Sequence, residues 1–318
     1  MLLNVFLLIL GFVILIKGAD TFVDGASSTA RNFKLSTMFI GLTIVAFGTS
    51  APEFAVSVKS ILSNNSDMLL GNVIGSNVLN ILLILGVCGV IAPLTVKNNT
   101  VRKEIPFTVL VSMLLVALLL DKPLNHEMIN QISRTDGIAI VLFFSVFIYY
   151  LISVMRNKVD RDNEENKPKY KIGKSILFTI LGIIAIIIGS DLVVDSASKI
   201  ATILGVSQRL ISLTIVAIGT SLPELVTSIV ATKKHEQDLV IGNIIGSNIF
   251  NICIVLGIPV MLFGGITAVG FTYLDMFMLV ASALILFIFA HNDKTITKWE
   301  SVFMFTCFVI YYSYVIFA

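Results

Sequence analysis

Two glutamates stand inside apolar sequence. Glu53 closes the run TIVAFGTSAPE and Glu224 closes TIVAIGTSLPE; each is followed by a second motif, GNVIGSNVLN from Gly71 and GNIIGSNIFN from Gly242. The copies hold one register, since Glu53 and Glu224, Gly71 and Gly242, and Asn80 and Asn251 all lie 171 residues apart. A carboxylate in hydrocarbon costs at least about 2.5–3.5 kcal/mol, so a paired intramembrane glutamate points to function before structure. Oxygen donors gather around each one. Thr49 and Ser50 precede Glu53, and Thr220 and Ser221 precede Glu224. Ser76 and Asn80 are four apart and share a helix face that can be aimed at Glu53, and Ser247 and Asn251 repeat the arrangement.

The backbone adds to the donor set. Pro52 and Pro223 lack an N–H and clash with the preceding turn, while Gly48 and Gly219 weaken the helix just before them. The helices should therefore break around Ala46 to Ser50 and at the matching Ala217 to Ser221. Carbonyls freed at membrane depth are tolerated only where they line a cavity or bind an ion. A proline kink with hydroxyls bonded back to their own helix would explain one copy. It does not explain two copies that each retain a glutamate. Gly71 with Gly75, and Gly242 with Gly246, have the GxxxG spacing of close helix packing. Asn72, Asn77, Asn243 and Asn248 are expected to hydrogen-bond between helices.

All the convergent donors are oxygens. Cys88, Cys253 and Cys307 lie in apolar runs and read as inert thiols, and His126, His235 and His291 fall in predicted loops or at helix ends. Carboxylate, amide, hydroxyl and carbonyl oxygens suit hard cations, Ca²⁺ or Na⁺, and not Zn²⁺ or Cu⁺. Two carboxylates balance one Ca²⁺ or two Na⁺, so one cavity can hold either load in alternation. No cofactor is implied.

The elements that position these residues are membrane helices. The 318 residues are 56% hydrophobic and 13% charged, with a mean hydropathy of +0.96; soluble domains carry roughly 25% charged residues. A net charge of +2 gives no argument for nucleic acid. The expected partners are inorganic cations and the lipid bilayer, with no obligate protein partner indicated. The N-terminal apolar run lacks a basic leader and a small-residue cleavage site, and reads as a membrane helix. Segments long enough to cross a hydrocarbon core of ~30 Å lie near 2–18, 37–62, 67–91, 104–121, 134–154, 174–190, 208–232, 238–263, 271–290 and 298–317.

The expectation is thus an all-α polytopic membrane protein, with ten transmembrane helices arranged as two five-helix repeats, 1–155 and 175–318, joined by a polar linker at 156–174. Five is odd, so the repeats must be inverted in the membrane, with their broken helices meeting near the midplane. The positive-inside rule then orients the chain. With the N-terminus outside, 17 of the 22 Lys and Arg residues face the cytoplasm, including the seven of the linker. Both termini would lie outside the cell membrane and the linker in the cytoplasm. Inverted repeats with interrupted helices at matching positions mark a secondary transporter.

GTSAPE and GTSLPE, with GNVIGSN and GNIIGSN, resemble the α-repeats of the sodium/calcium exchanger family within the calcium:cation antiporter superfamily. The likeness covers both repeats, the helix count and the central linker, whose shortness fits a prokaryotic-type member. It implies an antiporter that moves Ca²⁺ against Na⁺ by alternating access. Glu53, Glu224, Thr49 and Thr220 would bind calcium. Sodium would use Ala46, Thr49, Ser50, Glu53 and Ser76 with Ala217, Thr220, Ser221, Glu224 and Ser247; Ala46 and Ala217 would contribute their carbonyls. Asn80 and Asn251 are the central polar pair. The family pattern has Asp where Asn251 stands, so this site holds two carboxylates instead of three, which bears on sodium stoichiometry and any proton role. The resemblance also implies sliding of the first and sixth helices, which here carry Asp20, Asp24, Asp191 and Asp195; these four read as solvated helix ends.

Other function classes fit less well. A proton- or potassium-coupled antiporter of the same fold remains open, because a midplane glutamate can carry a proton. A channel would need a continuous ring or filter. An intramembrane hydrolase would need a GxSxG or HExxH motif, or a membrane-embedded histidine base, and the chain has none.

Overall fold

A computed structural model describes residues 1–126, 128–156, 167–206, 211–268 and 270–317. Its long helices are α1 (Leu2–Asn32), the bent pair α2 (Thr37–Thr49) and α3 (Ala51–Leu62), α4 (Ser66–Ile91), α5 (Ile105–Leu118), α6 (Arg134–Arg156), α7 (Ile172–Ile203), the bent pair α8 (Thr214–Thr220) and α9 (Leu222–Lys233), α10 (Gln237–Phe263), α11 (Tyr273–Asp293) and α12 (Lys298–Phe317). Among the described residues, seven helices are long and apolar enough to cross a membrane, and counting each bent pair as one span gives nine. The segment expected at 104–121 is α5. Its 14 residues follow a π-helical turn at Thr100–Glu104 and rise only ~21 Å.

The first and sixth segments run well past their expected ends at 18 and 190, to Asn32 and Ile203. Lys17, Asp20 and Asp24 look like a loop in sequence, yet Gly18, Ala19, Phe22, Val23, Gly25 and Ala26 continue a fully buried face beside them. That face packs on α7. A Cβ added to Gly11 would meet Val193 at 3.0 Å, one on Gly18 would meet Ala185 at 2.8 Å, and one on Gly25 would meet Thr179 at 2.5 Å. Residue numbers rise on one helix as they fall on the other, so α1 and α7 are antiparallel, and their glycines allow near backbone contact.

The 171-residue offset recurs in local geometry. π-helical turns occupy Gly41–Val45 and Ser212–Val216, and again Asn80–Leu85 and Asn251–Leu256. Such turns insert a residue into the helix and are frequent at functional sites. Each lies on a segment that carries site residues. The bends match as well: 45° at Ser50 and 55° at Ser221, each with the proline in the first turn of the following helix.

Two short ladders fasten the ends of the bundle. Strand β1 (Leu94–Thr95) pairs antiparallel with β4 (Thr295–Ile296), and β2 (Gln131–Ile132) pairs with β3 (Ile266–Thr267). Each ladder joins one half of the chain to the other. Tyr150 donates to Glu104, tying α6 to the turn before α5, and Tyr311 donates to Asp275 at 2.8 Å, tying α12 to α11. The core centres on α4 and α10, where Leu82, Ile84, Leu85, Ile244, Ile245 and Ile249 are fully buried.

Candidate ion-binding site

The bends place α2/α3 and α8/α9 against α4 and α10, and their polar residues meet in the interior. Thr49, Ser50, Glu53, Ser76, Asn80, Ser221, Glu224, Ser247 and Asn251 are each no more than 3% exposed. Ala46 is buried, and Thr220 is half-buried. The two halves exchange hydrogen bonds. Ser50 Oγ donates to Glu224 Oε1 at 3.1 Å, and Ser221 Oγ lies 3.3 Å from Glu53 Oε1 and 3.2 Å from Ser76 Oγ. Each serine therefore serves the glutamate of the opposite half, at positions related by the offset.

The other carboxylate oxygens, Glu53 Oε2 and Glu224 Oε2, are buried without a hydrogen-bond partner, as are Ser247 Oγ, Asn80 Oδ1 and both amide atoms of Asn251. A buried polar atom without a partner costs roughly 1–3 kcal/mol, more when charged. That so many share one region marks a place built to receive something, and their chemistry fits a hard cation: oxygen throughout, with two negative charges. Among the described residues no group of three or more His, Cys, Asp or Glu is placed to hold a metal ion by itself, and Cys88, Cys253 and Cys307 are free thiols.

Ser50 N–H bonds to the Ala46 carbonyl at 3.0 Å, and Ser221 N–H bonds to the Ile218 carbonyl at 3.2 Å. Gly48 and Gly219 have a packing duty beyond weakening the helix, because a Cβ there would run into Ile183 and Val194 of α7. Gly242 and Gly246 act as close-packing residues: a Cβ on Gly242 would sit 2.7 Å from the Met38 carbonyl and one on Gly246 would sit 2.6 Å from Ala46 Cβ. Among the described residues a Cβ on Gly71 would meet only Phe271, at 3.6 Å, and one on Gly75 nothing within 4 Å.

Three of the four motif asparagines bond between helices. Asn72 Nδ2 donates to the Glu53 carbonyl at 2.9 Å and to Ser57 Oγ at 3.0 Å. Asn243 Oδ1 lies 3.1 Å from Thr49 Oγ1, and its Nδ2 lies 3.3 Å from Ser228 Oγ. Asn248 accepts from Asn80 at 3.0 Å and donates to the Asn77 carbonyl at 3.3 Å. Asn77 departs from expectation, because its Nδ2 bonds to Val73 in its own helix, at 2.7 Å. The supporting serines Ser57 and Ser228 were not singled out from the sequence. The offset would have found them, since they too lie 171 apart.

The family described as sodium/calcium exchanger protein matches residues 3–153 and 174–317. The inner membrane protein YrbG of Escherichia coli (strain K12) is 37% identical over 274 residues, covering 83% of this chain and 82% of its own. The sodium/calcium exchanger MaX1 of Methanosarcina acetivorans is 30% identical over 342 residues, covering 97% of each. Among solved structures, the sodium-calcium exchanger NCX_Mj superposes with a TM-score of 0.85 at 32% identity, over 98% of both chains.

Proposed function

The chain belongs to the sodium/calcium exchanger family as a multi-pass membrane antiporter of inorganic cations, and on that premise we propose that it exchanges Ca²⁺ for Na⁺ by alternating access. The observation that carries this reading is the reciprocal pairing of Ser50 with Glu224 and Ser221 with Glu53, which leaves one buried oxygen of each carboxylate unpartnered. Calcium binds between Glu53 and Glu224 with the hydroxyls of Thr49 and Thr220. Sodium takes the flanking positions: Ser50, Ser247 and the Ala46 carbonyl on one side, Ser76, Ser221 and the Ala217 carbonyl on the other. The two loads compete for the same carboxylates, which couples their movement.

The architecture in this reading is ten spans in two inverted five-helix repeats, 1–155 and 175–318. The antiparallel contact of α1 with α7 and the π turns at a fixed offset support it. Both termini lie outside and the 156–174 linker in the cytoplasm, as the basic residues indicate. The relative YrbG is named as an inner membrane protein, which supports the cell membrane as its place.

Asn251 favours a second reading. An amide here, buried and unbonded at both atoms, holds no charge to balance a further Na⁺, and a glutamate can carry a proton in its place. Uptake of Ca²⁺ into proteoliposomes loaded with Na⁺, K⁺ or choline, across matched pH gradients, decides between them. Uptake that requires internal Na⁺ and ignores the pH gradient supports Na⁺/Ca²⁺ exchange. Uptake driven by the pH gradient without Na⁺ replaces it with proton coupling.

A further inference from the structure

Asn72 and Asn243 follow the first glycine of each GN motif, and neither has a place in the donor set above. In the first copy the amide orientation is settled by chemistry. The Asn72 nitrogen faces the Glu53 carbonyl, which can only accept, and the same nitrogen reaches Ser57 Oγ. In the second copy the nitrogen of Asn243 reaches Ser228, the serine equivalent to Ser57, and its oxygen lies 3.1 Å from Thr49 Oγ1. Thr49 has one hydroxyl hydrogen; beside the Glu224 carboxylate, whose oxygens are committed to the cation when one is bound, three uncharged oxygens compete for it: Asn243 Oδ1 and the carbonyl of Val45 at 3.1 Å, and that of Ala46 at 3.4 Å. Were it given to the backbone, two bare oxygens would face each other in a buried site, at a desolvation cost. A hydroxyl that ligates a cation must also send its hydrogen away from that cation.

We propose that Asn243 is a positioning residue that accepts the Thr49 hydrogen across the interface between the halves, turning the Thr49 lone pairs toward the ion. Gly242 makes the reach possible, since α10 approaches the Gly41 backbone so closely that a Cβ there would lie 3.0 Å from its Cα. The inference rests on Thr49 being an ion ligand, and a double-mutant cycle on Ca²⁺ affinity separates the two claims. Purified Asn243→Ala, Thr49→Val and the double variant are titrated with Ca²⁺, with Asn243→Ser as a gentler substitute should the alanine fail to fold. Each single change should weaken Ca²⁺ by about 10-fold, since Thr49→Val removes the hydroxyl ligand and Asn243→Ala lets that hydroxyl turn its hydrogen toward the ion, and the double variant by no more than the worse single. Thr49→Ser keeps the hydroxyl, so in that background Asn243→Ala should cost its full 10-fold. Multiplicative losses in the double variant overturn the positioning role while leaving Thr49 a ligand. A Thr49→Val protein with unchanged affinity overturns the ligand assignment, and the inference with it.

A separate observation concerns Asp20 and Asp24, which lie inside α1 and pair with lysines; Asp24 is largely buried, while Asp20 stays exposed to solvent. Lys234 Nζ lies 2.7 Å from both Asp20 Oδ1 and Asp24 Oδ1, and Lys169 lies 2.6 Å from Asp24 Oδ2. Arg31 pairs with Glu236 at 2.5 Å, and Lys97 with Asp238 at 2.9 Å. The turn 233–238 is thus bound to α1 and to the chain after α4, and Asp24 of α1 is shared with Lys169, which precedes α7. Asp191 and Asp195 are the counterparts on α7, and among the described residues they show only the Lys199–Asp195 pair within one helix. The facing turn has Ser63 and Asn65 where Lys234 and Glu236 stand. The site shares this asymmetry: Gly242, Asn243, Gly246 and Thr49 are buried, whereas Gly71, Asn72, Gly75 and Thr220 are partly exposed.

We infer that the Lys234 cluster is a latch that holds shut the face on which the turn 233–238 lies. This rests on alternating access, and its test does not use ion transport. In a cysteine-free background, Met38→Cys, buried where α2 meets Gly242, reports opening through its rate of thiol labelling. Lys234→Gln should speed labelling several-fold and Asp195→Asn should leave it unchanged. Equal rates in wild type and Lys234→Gln overturn the latch.

Discussion

Glu53→Gln keeps the volume of the side chain and an acceptor for Ser221 Oγ, 3.3 Å away, while deleting one of two buried charges. The retained shape means that packing is not what is tested. Removing one partner from a buried charge-compensated set costs about 3–5 kcal/mol. At 1.4 kcal/mol per decade that is roughly a 100- to 4,000-fold loss of Ca²⁺ affinity. A thermal-shift assay in detergent reads this without transport. Calcium at 100 times its dissociation constant stabilises the wild type by about 2.7 kcal/mol. The same concentration can add at most about 0.4 kcal/mol to a variant whose affinity has dropped 100-fold. The variant without Ca²⁺ should melt no earlier than the wild type, because a neutral amide is cheaper to bury than a carboxylate. A Glu53→Gln protein that keeps the full Ca²⁺-dependent shift shows that Glu53 does not bind calcium. One that melts far earlier without Ca²⁺ shows that the carboxylate holds the fold together instead of holding an ion.

Asn251→Asp adds a third buried carboxylate and should steepen the Na⁺ dependence of Ca²⁺ uptake; an unchanged dependence removes Asn251 from the coupling. Gly182→Val places its Cβ 2.6 Å from the Phe22 backbone, so α1 and α7 must separate, and overpacking of about 1–3 kcal/mol should appear as a lowered melting temperature together with lost transport. Unaltered melting would show that the contact yields. Ser63→Cys should react with an impermeant thiol reagent added outside intact cells and Lys167→Cys only after lysis. The reverse pattern inverts the proposed orientation.

Much of the site was legible because the chain states it twice. A single GTSAPE reads as a kink; the second copy, at an unchanged offset, singles out the candidate residues, and the structure buries Ser50, Glu53, Ser221 and Glu224 in contact across the two halves. The extent of α1 and α7 was less legible, because their helices bury Gly, Ala and Ser past residue 18 beside Asp20 and Asp24, which local polarity marks as a loop. The charges became intelligible only once the turn holding Lys234 was seen against them, a contact 210 residues apart in sequence. The crossed serine–glutamate bonds were hidden for the same reason. Spacing within one segment says which residues share a face, but not which residues of the other half that face will meet. Asn77 shows the converse limit, since its own helix offers the Val73 carbonyl and the amide takes it.

The central claim is that one cavity holds Ca²⁺ or Na⁺ on the same two carboxylates, and equilibrium competition tests it most directly. Calcium binding to the purified protein would be titrated at increasing Na⁺, with K⁺ or choline keeping ionic strength constant. The apparent Ca²⁺ dissociation constant should rise with Na⁺ more steeply than first order, with K⁺ and choline inert, because more than one Na⁺ must leave for one Ca²⁺ to enter. Calcium affinity that is indifferent to Na⁺ would contradict it.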